Sequence, residues 1–281
     1  MDHQLRVNRA AVELVARYLR EPSSRELVER AELADPQLQS VARILSRFNQ
    51  RIDAFFYTVG IAAISYQLTT KGEEHWFLAA EHAGGDPRES LRSFVEKSPS
   101  LRLARSARLA RVERLNRLYP SFAAKLDLYL SDLEAFRKDL ARALEADQDA
   151  KTIVFAVKML YYAAKASGLS IEPPSSIPIP VDRRVCLISL TSRVVEGEPP
   201  TLQGARLLLS KAPKLVAEAW GLVCEKSGVP PIKLDALLWL LGGCYERAGS
   251  PEGALDCASK LLSPPPGAAV SLMRVLLGLS P

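Results

Sequence analysis

At 281 residues, 48% hydrophobic and 25% charged, the chain has the composition of a globular protein with a substantial core, which excludes wholesale disorder. A net charge of +5 and a sequence pI of about 9.0 permit a polyanionic partner without demanding one. Cys186, Cys224, Cys244 and Cys257 form no C-x-x-C pair and lie far in sequence from His3, His75 and His82, so neither a zinc site nor a cysteine-ligated cluster is expected. These cysteines read as buried small hydrophobes, with a disulfide expected only for a protein of a hot habitat. The scarcity of asparagine (Asn8, Asn49, Asn116) points weakly to such a habitat.

In chain order, the first twenty residues carry charges throughout and lack the apolar core of a secretory signal, so an intracellular protein is expected. Val12, Leu14, Val15, Tyr18 and Leu19 mark one helical face, and Val41, Ile44, Leu45 and Phe48 another. The longest uncharged run, from Ala54 to Thr70, contains Tyr57, Thr58, Ser65 and Gln67; it predicts a core helix rather than a membrane span. Residues 122–145 predict a charged amphipathic helix or helix pair, and Lys151 to Lys165 a strongly patterned helix. Asp182 is read as the cap of a helix reaching about Val194. Further helices are predicted over Leu202–Leu209, from Pro213 to about Lys226, and over Leu234–Glu246. Pro173-Pro174, Pro199-Pro200, Pro230-Pro231 and Pro264-Pro265-Pro266 punctuate them. No alternating strand and no internal repeat stands out, so the fold class is all-α.

Between Arg102 and Arg117 an arginine stands at every third position. A three-residue step drifts roughly 60° backwards around a helix, so these side chains wrap most of its circumference rather than forming one stripe. Some must meet other helices or carboxylates, leaving a subset for phosphate.

Two residues carry candidate chemistry. Lys151 follows a polar turn and opens its helix, at the positive end of the macrodipole where a cation is disfavoured; most lysines so placed are simply solvated. Asp182 follows Ile177-Pro178-Ile179-Pro180-Val181 and reads as an ordinary N-cap, which would also fix the direction of its carboxylate. An amine nucleophile and a fixed carboxylate are what Schiff-base chemistry on a sugar carbon requires.

Four blocks, in order, carry a resemblance. They are Ile64-Ser65-Tyr66-Gln67-Leu68-Thr69-Thr70-Lys71-Gly72-Glu73-Glu74-His75-Trp76, Lys151-Thr152-Ile153-Val154-Phe155, Ile177 to Asp182, and Pro230-Pro231-Ile232-Lys233-Leu234-Asp235-Ala236-Leu237-Leu238-Trp239, with Asp35-Pro36-Gln37 as a shorter match before them. Together they resemble the archaeal 8-oxoguanine DNA glycosylase (AGOG) family of the helix-hairpin-helix glycosylase superfamily. The resemblance implies the helix-hairpin-helix DNA glycosylase fold. It implies a single module of two helical subdomains with the active-site cleft between them, approximately residues 75–180 and residues 1–74 plus 181–281.

It also implies a bifunctional base-excision enzyme that flips out and removes 8-oxoguanine through a lysine Schiff base and then cleaves the strand by β-elimination. Lys151 falls on the family's nucleophile and Asp182 on its catalytic aspartate, while Lys158, seven residues on, shares a helix face with Lys151. Phe155 and Trp239 fall on the residues that sandwich the base, Asp235 on one that accepts from its N1–H and N2–H₂ edge, and Gln37, Ser65, Trp76 and Pro180 on further base-pocket positions. Read without the resemblance, the aromatic residues are core. The implied partner is damaged DNA, double- or single-stranded, with no metal or organic cofactor, no membrane and a monomeric state. The turn Ala146–Ala150 lacks the glycines of the wider superfamily's hairpin. A same-fold glycosylase for another damaged base, or a non-catalytic helical nucleic-acid-binding protein, are the rival readings.

Overall fold

The computed structural model describes residues 4–281, so His3 lies outside the described residues. Fifteen α-helices make up nearly all of the regular structure described, and the all-α expectation holds. The exceptions are a single 3-10 turn, Pro99–Leu101, and a short antiparallel pair in which β1 (Arg6–Val7) sets Arg6 opposite Glu196 of β2 (Val195–Glu196).

The chain forms two compact units, Met1–Asp35 with Ser175–Pro281, and Pro36–Pro174. The first begins with α1 (Arg9–Leu19), capped by Asn8, whose side-chain oxygen accepts from the amide of Ala11 at 3.1 Å. Val12, Val15, Ala16 and Leu19 form its buried stripe. Pro22 opens α2 (Pro22–Ala34) at a position where its missing N–H costs nothing.

Pro36 begins the second unit, which contains α3 (Pro36–Arg47), α4 (Arg51–Ile64), α5 (Gly72–His82), α6 (Pro87–Lys97), α7 (Arg105–Ser131), α8 (Leu133–Leu144) and α9 (Lys151–Ala166). α4 is buried from Ala54 to Ile64 and α9 from Ile153 to Ala164. Helices apolar on every side must be covered on every side, and these two pack on each other at the centre of the unit. Close approach is secured at Gly60, where an added Cβ would stand 2.4 Å from Leu91 Cδ1.

The remainder of the first unit consists of α10 (Arg183–Thr191), α11 (Leu202–Lys211), α12 (Pro213–Ser227), α13 (Pro231–Ala248), α14 (Pro251–Leu262) and α15 (Ala268–Leu276). The apolar end of the chain is α15, which packs on α1 and α2.

Several expectations are corrected. Residues 36–74 belong with 75–174, not with the N-terminal segment, because α3 and α4 supply the surfaces on which α9 and α5 pack. The later boundary falls at Pro174–Ser175 rather than at residue 180. The uncharged run does not stay helical to Thr70: α4 ends at Ile64, and the chain turns through Gln67 at φ 46°. For residues 122–145 the helix-pair alternative holds: Asp132, whose carboxylate accepts from the amide of Ala135 at 3.0 Å, divides them and starts α8. α10 ends at Thr191, short of Val194, with Arg193 at φ 61°.

Cys244 and Cys257, read as hydrophobes, form a disulfide that ties α13 to α14 across a separation of 13 residues. Their Cα atoms lie 5.7 Å apart because the two helices pack as a hairpin, a neighbourhood that spacing alone does not reveal. Cys186 and Cys224 are buried and take no part in that disulfide, and burial pushes the Cys224 thiol up to about 12. Among the described residues no helix is long and apolar enough to cross a membrane.

Closing so short a loop stabilises a fold by about 3 kcal/mol in the chain-entropy model. Cys257→Ser is expected to lower the unfolding free energy by about that amount in denaturant titrations, and excess reductant should destabilise the wild type similarly. Identical midpoints for oxidised wild type, reduced wild type and variant would show that the bond contributes nothing.

Candidate active site

Lys151 is the exposed first residue of a helix that is otherwise almost wholly buried. Its helix face continues to Phe155, 8% exposed, and Lys158, fully buried with its ammonium 4.8 Å from the centre of the Tyr162 ring. Of the two lysines, only Lys151 offers its amine to solvent.

The glycine-free turn before it is stapled by charge. Glu145 takes the left-handed conformation that ends α8 (φ 52°), and its carboxylate pairs with Arg114 at 2.9 Å. Arg114 also donates to the carbonyl of Leu144 at 3.1 Å. Asp147 accepts from the amide of Asp149 at 2.9 Å, and Asp149 pairs with Arg137. Arg111 donates to the hydroxyl of Thr152 at 2.8 Å, fastening α7 to the start of α9.

Beside this helix the Ile64–Trp76 block is held from within. Arg108 is completely buried and aims its five N–H donors at five backbone carbonyls. Nε donates to Ile64 at 3.1 Å, Nη1 to Leu101 at 3.5 Å and to Leu103, and Nη2 to Tyr66 and to Gln67 at 3.3 Å. Its guanidinium also stacks 4.6 Å from the centre of the Tyr66 ring. Burial lowers its basicity.

Ser65, the C-cap of α4, donates its hydroxyl to Ile61 O at 2.7 Å. That hydroxyl must then accept from His75 Nε2 at 2.9 Å, which makes Nδ1 an acceptor for the Ser100 hydroxyl at 2.8 Å. Ser98 continues the chain with a 2.7 Å contact to Ser100. Burial first, and the charge of Arg108 second, push His75 down to about 3, in keeping with a neutral ring. Trp76, the next residue, is 1% exposed and meets Phe155 edge to face, ring centres 6.0 Å apart. Gln37 is nearly fully buried in the first turn of α3.

In the other unit, Ile177, Ile179, Pro180 and Val181 are buried and deliver Asp182 to the start of α10. Its carboxylate accepts from the amide of Val185 at 3.0 Å and remains partly exposed. Trp239, 7% exposed, and Asp235, 3% exposed, stand one turn apart on α13. The Arg184 guanidinium lies 4.1 Å from the centre of the Trp239 ring and donates to Glu246 at 2.9 Å. Gly242 and Gly243 make this possible: an added Cβ would meet Arg184 Cβ at 2.6 Å and its guanidinium carbon at 3.2 Å.

Thus the expected residues fall into two groups. Gln37, Ser65, Trp76, Lys151 and Phe155 belong to the second unit, and Pro180, Asp182, Asp235 and Trp239 to the first. Within the groups, Phe155 touches Trp76, Ser65 adjoins it through His75, and Trp239 is backed by the residue two after Asp182. Sequence reasoning missed Arg108, Arg184 and the Ser98–Ser100–His75–Ser65 chain. The adjacent glycines at 242 and 243 were the available signal for Arg184; nothing set Arg108 apart from its neighbours. Among the described residues no three His, Cys, Asp or Glu side chains gather as a metal-ligand group.

The fold and these groups have counterparts. Residues 16–264 match the family model AGOG: N-glycosylase/DNA lyase. The N-glycosylase/DNA lyase of Methanopyrus kandleri is 31% identical over 235 residues, covering 80% of this chain and 88% of that protein. The N-glycosylase/DNA lyase of Aeropyrum pernix is 32% identical over 275 residues, covering 92% and 91%. In three dimensions the chain is similar to the 8-oxoguanine DNA glycosylase of Pyrobaculum aerophilum, crystallised with 8-oxoguanosine. That match has a TM-score of 0.71 at 27% identity and covers 95% of this chain and 97% of the other. The chain belongs to the AGOG family of N-glycosylase/DNA lyases.

The neutral His75 has a consequence for stability. Its folded value lies below its unfolded value of about 6.5, so between about pH 6.5 and pH 3 the unfolded chain binds the extra proton and stability falls as pH falls. The contribution approaches about 1.4 kcal/mol per pH unit in that window. Urea unfolding of wild type and His75→Gln at a series of pH values should show a shallower slope in the variant by up to one proton; equal slopes would contradict a buried neutral histidine.

Proposed function

We propose that this protein excises 8-oxoguanine from DNA and then cuts the strand, with Lys151 as nucleophile and Asp182 as the stabilising carboxylate. The observation that carries the reading is the contrast within α9, where the exposed amine of Lys151 heads a helix otherwise closed to solvent. It is supported by family membership and by the 8-oxoguanosine complex of the Pyrobaculum aerophilum relative.

The chemistry follows from the side chains. The lysine amine, once deprotonated, attacks C1′ of the damaged nucleotide, and the C1′–N9 bond breaks with the base leaving as the protonated purine. The carboxylate of Asp182, fixed in direction by the Val185 amide, serves in this reading to stabilise the positive charge that develops on the sugar ring. Opening of the ring gives the Schiff base; loss of a C2′ proton then expels the 3′ phosphate by β-elimination, and water releases the lysine. The target must leave the base stack at a cost of a few kcal/mol, offset by stacking on Phe155 and Trp239. Asp235, Gln37, Ser65, Trp76 and Pro180 contribute the remaining contacts to the base in this reading. The enzyme works inside the cell as a monomer, on single- or double-stranded damaged DNA, without a metal or organic cofactor.

Borohydride trapping tests the proposal directly. On a duplex with a single 8-oxoguanine, wild type should form a covalent protein–DNA band and Lys151→Gln none, while Lys151→Gln still binds the duplex. Absence of a wild-type band on both this duplex and abasic DNA would sink the Schiff-base step. Comparable excision of other damaged bases in a lesion panel would replace 8-oxoguanine as the substrate.

A further inference from the structure

The arginine run, ambiguous as sequence, separates into distinct duties in three dimensions. Arg108 is spent on carbonyls, Arg111 on Thr152 and Arg114 on Glu145 and Leu144. Arg117 lines a cleft with Asp86, Glu89 and Glu113. Arg102 and Arg105 differ: both are exposed, and neither has an ion-pair partner among the described residues. The nearest acids along the chain, Glu96 and Glu113, are both engaged by Arg92, at 3.3 and 2.7 Å.

Between these two cations stands Leu103, 53% exposed. Its backbone is not loose. The Leu103 carbonyl accepts from Arg108, and Ala104 follows in the left-handed region at φ 48°, which costs about 1–3 kcal/mol unless the surroundings impose it. A second loop is fastened alongside. Arg108 binds the carbonyls of Tyr66 and Gln67, and Thr69 binds the carbonyls of Ser100 (3.1 Å) and Pro99 (2.6 Å). That loop presents exposed Gln67 and Lys71. The result is a cationic ridge with one apolar side chain at its crest, on a backbone pinned from below; the acids next along the chain from Lys71 are Glu73 and Glu74, in the first turn of α5.

The ridge is also tied to the nucleophile's helix. Arg105 and Arg111 are six residues apart on α7, about 9 Å along the axis. Arg111 is bonded to Thr152, next to Lys151. At about 3.4 Å per nucleotide, that distance is roughly three steps along one strand. An apolar group held on a fixed tip between unpaired cations is a poor match for a lipid-like or protein core. A nucleic-acid duplex satisfies both, with phosphates outside and an apolar stack within.

We propose that Arg102–Arg105 is a duplex-opening ridge. Leu103 enters the base stack beside the extruded nucleotide, and Arg102 and Arg105 bind the flanking phosphates. This rests on the reading that DNA is the substrate and adds how the duplex is held open.

The test uses binding rather than excision, so it stands apart from the chemistry of Lys151. A duplex carrying 8-oxoguanine with 2-aminopurine as its neighbour would be titrated with the full-length protein and with Leu103→Ala, Leu103→Phe and Arg102→Ala/Arg105→Ala. Wild type should brighten the 2-aminopurine as the stack opens. Leu103→Ala should lose most of that rise, and Leu103→Phe should keep it. The double arginine variant should lower the slope of log Kd against log salt by about 1.8, the value for two phosphate contacts at about 0.9 each. Full brightening with Leu103→Ala, or a slope changed by less than about half a unit, would overturn the ridge. Wild-type binding and brightening without any covalent trapping would instead count against the proposed chemistry and leave the ridge standing.

Discussion

A buried guanidinium organises the second unit. Removing a charge from water costs several kcal/mol unless its hydrogen-bonding capacity is met. Arg108 meets its own with five backbone carbonyls drawn from two loops far apart in sequence, residues 64–67 and 101–103. The dependence is mutual: without the cation those carbonyls would be left unpaired beside the core, and without the carbonyls the cation could not be buried. Its planar fork is matched by position as well as by charge, so a lysine there could serve only part of the set.

That constraint places the neighbouring parts. The Ile64–Tyr66 turn is fixed, so Ser65 meets His75 at 2.9 Å, and His75 in turn sets Trp76 against Phe155. Through Leu101 and Leu103 the same cation shapes the segment just before α7, and through the helix register it delivers Arg111 to Thr152 and Arg114 to Glu145. The glycine-free turn before Lys151 is thus held by arginine–carboxylate pairs, where a glycine-rich hairpin would rely on backbone freedom. A similar logic recurs in the other unit. Two adjacent glycines admit Arg184, which lies against Trp239 and is anchored by Glu246.

Much of the fold was legible along the chain because helices announce themselves locally. Apolar periodicity marked α1, α3 and α9, Pro213 marked the start of α12, and Asp182 caps α10 as its position after the proline-rich stretch suggested. The errors arose where a long-range partner decides. α4 stops at Ile64 although the uncharged pattern runs on, because the next carbonyls belong to Arg108. Residues 36–74 join the second unit because α4, apolar on all sides, needs α9 as a neighbour. Cys244 and Cys257 gave no spacing signal, since their pairing depends on α13 and α14 lying as a hairpin.

By itself the sequence determined the helical class, the limits of a few helices such as α9, α11 and α12, the candidate residues Lys151 and Asp182, and, through four ordered blocks, the family. Periodicity, caps and motifs are properties of short stretches, and a short stretch carries them wherever it is placed. Tertiary structure alone decided which of six similar arginines is buried, which are bonded and which remain free, and that Lys151 is exposed while Lys158 is enclosed. A charged side chain's role is set by the acceptors and solvent around it, and those come from segments the local pattern does not contain.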